Sequence, residues 1–334
     1  MFAFTAGIGA FFWYQHGRTK SQLSRFLLTR GLWLVFLEIT VFRFILFFQW
    51  RFHGAVLVLL VFWMLGLCMV ALAALVHLPV KILAPLSLLV IAAHNVFDSV
   101  DPARFGRLAP LWDILHQQAA IPFHGAVLVV AYPLVPWIAV MSAGFCLGSV
   151  LLWDPPLRQK FLVRLGMALS IAFIVLRAWN RYGDPAPWAH QPSVLFTFLS
   201  FLNTTKYPPS LLFLLMTLGP ALVALAFFDR VKLSPAHPVI VFGRVPFFFF
   251  LFHFALAHLS AVVLGAVRYG PQHFLLLPPP SIGGPGELFP ANYGFSLPVV
   301  YIVWLNVVAI SYPLCRWYGN LKQRRRDLWW LSYL

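Results

Sequence analysis

Charge is what this sequence has least of. Of its 334 residues only 10% are Asp, Glu, Lys or Arg, and the acidic ones number 9. A soluble domain carries about a quarter charged residues, so the composition excludes a water-soluble fold. Cysteine is scarce as well. Cys68, Cys146 and Cys315 stand singly inside apolar runs, with no CxxC and no His/Cys ligand spacing. That pattern speaks against a disulfide framework or a cysteine-built zinc site, and leaves small apolar packing residues as the reading. The signatures of soluble enzymes are also missing. There is no GxSxG elbow, no Walker loop, no GxGxxG before a helix and no HExxH. No metal is expected.

What is present is apolar surface. The chain is 61% hydrophobic, holds 34 Phe and 13 Trp, and has a mean hydropathy of +0.83. Its net charge of +15 would point to nucleic acid in a soluble protein. Here the basic residues lie in short loops between apolar runs, where membrane topology accounts for them, and no nucleic-acid partner is expected. Apolar runs occupy 2–14, 27–48, 54–77, 82–97, 124–152, 161–179, 208–228, 239–267 and 295–315. In lipid every backbone polar group needs an internal partner, so runs this long and continuous read as helices rather than barrel strands. The expected fold is all-α: a polytopic transmembrane helical bundle of about nine apolar segments, forming one domain over 1–334. The run at 82–97 is short and polar at its borders, and is expected to be tilted, kinked or partly re-entrant.

Numbering the loops alternately puts two thirds of the 24 lysines and arginines on one side. By the positive-inside rule that side is cytoplasmic. The basic C-terminal "KQRRRD" then lies in the cytoplasm and Met1 on the outer side. With no basic n-region and no cleavage site, the start is not a signal peptide; a helix preceding it is the expected explanation for an outer terminus. The larger hydrophilic stretches, 98–123, 180–207 and 268–294, all fall outside, so the non-lipid chemistry is expected to face outward.

Five polar constellations interrupt the apolar pattern. In "AAHNVFDSVDPARFG", His94 and Asp98 are four apart, on one helical face; a carboxylate beside an imidazole is half of a general-base unit. A helix end leaving the membrane accounts for them equally well. In "LRAWNRYGDPAPW", Arg177 and Arg181 share a face that suits a carboxylate, phosphate or sulfated sugar; the blander reading is snorkelling, with Arg181 paired to Asp184. In "SFLNTTKYPPSLLFLLMTLGP", Asn203, Thr204, Thr205 and Lys206 precede Pro208 and Pro209 at an expected helix start. Free backbone N–H groups there would form an anion or oxyanion pocket; the blander reading is a capped helix entry with Lys206 in the headgroups. In "TRGLWLVFLEITVFRF", Glu38 and Arg43 lie inside a span about 140° apart, so each needs a partner elsewhere. Arg30, at the inner end, is placed to meet phosphates of a cytoplasmic donor or to anchor the topology. His253 and His258, five apart, fit one shared metal poorly and read as buried or interface histidines. His116 and His124 have no ligand spacing.

The segments "FTAGIGAFFWYQHGRTKSQLSRFLLTRGLWLVFLEITVFRF", "HNVFDSV", "AYPLVPWIAVMSAGFCLG", "RAWNRYGDP", "FLNTTKYPPSLLFLLMTLGP" and "FGRVPFFFFLFHFALAHL" resemble, in order and over nearly the whole chain, a bacterial family of membrane proteins. That family is similar to the catalytic domain of heparan-alpha-glucosaminide N-acetyltransferase. The resemblance implies acyl transfer across a membrane, from acetyl-CoA or another acyl-CoA in the cytoplasm to an amino or hydroxyl group of a sugar or glycan outside. In the family a helix and a loop precede "FTAGIGAFF" and carry the histidine assigned to catalysis; this chain has no matching segment ahead of Phe4.

The expected assignment therefore uses this chain's own residues. His94 acts as base and Asp98 orients it. Asn203, Thr204 and Lys206 stabilise the oxyanion, Arg177 and Arg181 hold the acceptor near Glu38, and Arg30 meets the CoA. The partners implied are the lipid bilayer, acyl-CoA and an extracytoplasmic glycan or amino sugar, and a homo-oligomer is compatible with this. The rival readings are a transporter or flippase for an anionic lipid or sugar, and an inactive relative serving as a scaffold.

Overall fold

The computed structural model describes residues 1–48, 50, 56–271, 273–277, 286–325, 327, 328 and 331. Helices dominate, and six of those described are long and apolar enough to cross a membrane: Val80–Phe97, Leu134–Leu152, Pro155–Trp179, Leu211–Phe228, Pro246–Tyr269 and Leu297–Arg324. A spanning helix needs about 20 mostly apolar residues, and these meet that requirement. The chain is an integral membrane protein.

Among the described residues, three of the nine expected segments do not form a helix of that kind, for local reasons. The run at 2–14 forms α1, Phe2–Gln15, which is short. The run at 27–48 is divided. A capping box between Thr19 and Gln22 starts α2, Lys20–Leu37; a π-helical turn, Glu38–Phe42, then separates it from α3, Arg43–Phe47. The run at 54–77 is not one helix. Its Val56–Leu59 portion is strand β1, and α4 begins only at Val61 and runs to Leu75.

The run at 124–152 likewise opens as a strand, β3, Ala126–Val130, before α7, Leu134–Leu147. β3 follows β2, Ala119–Phe123, through a tight turn at His124 and Gly125, both at positive φ, the geometry of a two-residue hairpin. β3 lies between β1, which it pairs in parallel, and β2, which it pairs antiparallel. Pro122 is tolerated because β2 is an edge strand. Short valine-rich runs fit a buried strand as well as a helix, and periodicity does not separate the two.

The run at 82–97 is α5, Val80–Ala93, with Pro85 inside it and a tighter 3-10 turn, His94–Phe97, at its end. A second 3-10 segment, Pro102–Leu108, leads into α6, Ala109–His116. The remaining helices are α8, Pro155–Trp179; α9, Val194–Leu202; α10, Leu211–Phe228; α11, Pro238–Arg244; α12, Pro246–Tyr269; and α13, Leu297–Arg324. The irregular loop expected over 268–294 contains 3-10 turns at His273–Leu276 and Gly286–Leu288; its residues 278–285 lie outside the described residues, as do Arg51 and Arg326 of the charge count.

The chain divides into two compact units. The first comprises Met1–Glu38 and Phe52–Val231, the second Ile39–Arg51 and Lys232–Leu334. In the first, helices pair through glycine. α1 meets α7 so closely that a Cβ on Gly144 would lie 2.0 Å from the Phe4 carbonyl oxygen. Gly31 and Gly66 bring α2 against α4 in the same way, a Cβ on either lying 2.5 Å from the other's carbonyl oxygen. Lipid supplies no hydrophobic drive between helices, so close backbone packing takes that role. Phe173, Leu211, Leu212 and Leu215 form a buried cluster between α8 and α10. In the second unit, α11 and α13 enclose Val241, Val245, Cys315, Tyr318 and Leu331; His253 and His258 bond the carbonyls of Phe249 and Ile45. Ile174 on α8 and Ile302 on α13 point outward at 55% and 59% exposure, as lipid-facing residues do. The three cysteines are buried thiols.

Candidate functional site

The polar constellations of the first unit converge on one region, where the 3-10 turn after α5, the loop 180–188 and the segment 203–210 meet. Asp184 is the hub. Its Oδ1 accepts from Ala186 N–H (2.9 Å) and the Thr205 hydroxyl (2.8 Å), and its Oδ2 from Thr205 N–H (2.8 Å) and the Ser210 hydroxyl (2.7 Å). Asp184 thus holds the 203–210 segment and is not ion-paired with Arg181. Arg181 is exposed and makes no hydrogen bond or ion pair among the described residues.

Arg177 does not share a ligand face with Arg181. It is 1% exposed, and its guanidinium donates to four carbonyls: Phe201 (2.9 Å), Ala186 (3.0 Å), Ser200 (3.1 Å) and Asn203 (2.6 Å). Three of these belong to the end of α9 and the residue beyond it, where carbonyls lack intrahelical donors. Arg177 is therefore a helix cap that no sequence period signals, because α9 lies in a stretch that reads as a polar loop.

The expected pocket at the start of α10 is filled by the protein itself. Residues 206–209 form turns, with the Tyr207–Pro208 peptide cis, and the helix begins at Leu211 behind Ser210. Its first three N–H groups already have acceptors: Asn95 Oδ1 for Leu211 (2.8 Å), the Gly183 carbonyl for Leu212 (2.9 Å) and Ser210 Oγ for Phe213 (3.0 Å). None is left for an anion. Around this start, Asn203 is exposed and Lys206 is exposed with its ammonium 4.9 Å from the Tyr207 ring. The Thr204 hydroxyl is buried without a partner among the described residues.

His94 is 3% exposed, and both ring nitrogens face backbone carbonyls: Nδ1 that of Ile91 (2.9 Å), Nε2 that of Pro209 (2.8 Å). Neither nitrogen is left to take a proton from a substrate, and Asp98 does not touch it. The helix tightens into a 3-10 turn at His94, which breaks the i, i+4 register the pairing assumed. Asp98 turns instead to Asn95 Nδ2 (2.7 Å) and to His116 Nε2 (3.2 Å). His116 ends α6 with its side chain 4% exposed, against 21% for Asp98. Beside it lie the Trp112 ring at 5.2 Å and the Phe97 ring at 6.2 Å. The Trp112 indole N–H is buried without an acceptor among the described residues. Sequence spacing gave no sign of this pair, since the partners are separated by a 3-10 segment and a helix that folds back.

Glu38, 2% exposed, caps α4 from another helix. It accepts from the N–H groups of Leu60 (3.2 Å), Phe62 (2.8 Å) and Trp63 (3.1 Å). A carboxylate at a helix N-terminus is favourably placed. Tyr132, just ahead of α7, bonds the Tyr207 hydroxyl at 3.0 Å. Burial first, then that bond, raises the Tyr132 phenol, with the charge of Glu38 adding to it. Glu38 is therefore near this region, but as a cap. Arg30 is elsewhere on α2, its guanidinium 5.5 Å from the Phe26 ring. Arg43 is buried in the second unit. Among the described residues no group of three or more His, Cys, Asp or Glu is arranged to hold a metal.

No family model, curated protein or solved structure matches this chain.

Proposed function

We propose that this chain is a membrane-embedded acyltransferase that moves an acetyl or other acyl group from acyl-CoA to an amino or hydroxyl group of a sugar or glycan. The observation that carries this reading is the pairing of buried His116 with half-buried Asp98. With Nε2–H on the carboxylate, the other ring nitrogen of His116 holds the lone pair that takes the acceptor's proton. The acceptor then attacks the thioester carbonyl, the C–S bond breaks, and the thiol leaves with a proton. The Trp112 N–H and the Thr204 hydroxyl, both buried and unpartnered among the described residues, are donors for a developing oxyanion, and Lys206 adds positive charge. The base role passes from His94 to His116, while Asp98 keeps its orienting role with a different histidine. Arg177 and Glu38 support the region by capping helices, and Arg181 is the guanidinium left for an acidic group on the acceptor.

The family-like segments support the same chemistry. The basic side, with Arg30, faces acyl-CoA in the cytoplasm together with the C-terminus, and the Asp98–His116 region faces the glycan outside a bacterial inner membrane. The test is transfer of labelled acetyl from acetyl-CoA to glucosamine in proteoliposomes. His116→Ala and Asp98→Asn are expected to lower the rate by about 10²-fold or more. Unchanged rates in both variants, or no transfer by the wild type, would overturn the proposal.

A further inference from the structure

We infer that a cavity between α11 and α13 in the second unit is a binding site for a phosphate group. It measures about 140 Å³. At about 30 Å³ per water in the liquid, it has room for a tetrahedral anion and part of its hydration. Arg244, the last residue of α11, and Arg316 and Asn320 on α13 supply its polar lining. Arg316 and Asn320 are four apart on one helix face, so they present a guanidinium and an amide to the same space.

Both arginines are exposed at the mouth of this cavity. Neither arginine makes a hydrogen bond or ion pair among the described residues. The second unit holds two acidic side chains, Glu287 and Asp327. Asp327 is already held by the Arg325 guanidinium at 3.0–3.3 Å. Paired guanidinium groups with no carboxylate suit the bidentate geometry of phosphate.

The walls are built rather than incidental. Tyr312 donates to the Ala236 carbonyl at 2.8 Å, tying the loop before α11 to α13. Val241 and Cys315, which line the cavity, pack the two helices together with Tyr318. Gly319 keeps the space open: a Cβ there would meet only Val245 Cγ1, at 3.8 Å. By the sequence count of basic residues both arginines lie on the cytoplasmic side, where anionic lipid headgroups and soluble phosphate compounds are both available. The inference stands on this cavity alone and does not depend on the acyltransferase reading.

Two probes distinguish the sources. Inorganic pyrophosphate is titrated against the full chain in detergent. Retention of phosphatidylglycerol from an equimolar mixture with phosphatidylcholine is counted by native mass spectrometry. Arg244→Gln with Arg316→Gln is expected to weaken whichever probe binds, on the order of tenfold per guanidinium removed. Gly319→Leu, which keeps both charges and fills the space, is expected to weaken the same probe. The wild type supplies a check free of folding effects: the bound probe should protect Arg244 and Arg316, but not Arg181, from an arginine-modifying reagent. Pyrophosphate binding assigns a soluble ligand, and selective lipid retention assigns a headgroup. Failure of both probes to bind, equal binding by all variants, or equal labelling of the three arginines overturns the inference.

Discussion

Replacing Asp184 by Asn tests whether one carboxylate fixes the polar segment at 203–210. Each carboxylate oxygen serves one backbone N–H and one hydroxyl: Ala186 N–H and Thr205 O–H on Oδ1, Thr205 N–H and Ser210 O–H on Oδ2. Asn keeps one oxygen and presents an NH₂ in place of the other. A hydroxyl can rotate to accept from that NH₂, but a backbone N–H cannot. In either orientation one of the two amides therefore faces a donor. An unsatisfied donor costs about 1–3 kcal/mol when buried, and the low end applies here, where the Thr205 amide is part-buried and the Ala186 amide exposed. The surviving bonds also lose their charge assistance, for a local total of about 2–4 kcal/mol. At tenfold per 1.4 kcal/mol, amide exchange across a peptide containing Ala186 or Thr205 should quicken by about 30- to 700-fold. Hydrogen–deuterium exchange by mass spectrometry reads this directly. Lys206→Gln, at an exposed neighbour, should leave the same peptides unchanged. Wild-type exchange in Asp184→Asn would refute the reasoning.

Three further outcomes are expected. Gly144→Ala should force α1 away from α7, because its Cβ would lie 2.0 Å from the Phe4 carbonyl oxygen; a cost of about 2–4 kcal/mol should appear as a lowered melting temperature in detergent, while Gly9→Ala, with open space around it, should melt as wild type. Arg177→Met should orphan carbonyls at the end of α9, cost about 3 kcal/mol or more and expose 184–205 to limited proteolysis; Arg177→Lys, lacking the planar fork, should rescue only part of this. The Arg158 guanidinium, followed by Gln159, holds the Asp229 carboxyl below the usual carboxylate range. A lowered folded-state value contributes stability that is present above that range and lost as pH falls through it; the melting difference between wild type and Arg158→Gln should therefore hold above about pH 5 and close by about pH 2, and a difference that persists in acid would refute the pairing.

The sequence by itself determined the solvent of this protein. Sparse charge and long apolar runs leave the backbone no partner but itself, and six described helices long enough to span follow from that. Among the residues it singled out, His94, Asp98, Arg177 and the 203–210 segment do meet in one place, with Asp184 beside them.

What it did not determine was who bonds to whom. The His94–Asp98 pairing assumed an unbroken α-helix, and a 3-10 turn breaks the register, so Asp98 reaches His116 instead. Arg177 reads as a surface cation until α9, whose carbonyls it caps, folds over it. Valine-rich segments at 56–59 and 126–130 pair as strands because each had a partner within reach, a fact that local composition does not carry. Burial and alternation are properties of one segment and can be read along the chain. A hydrogen-bond partner belongs to two segments, and only the tertiary structure brings them together.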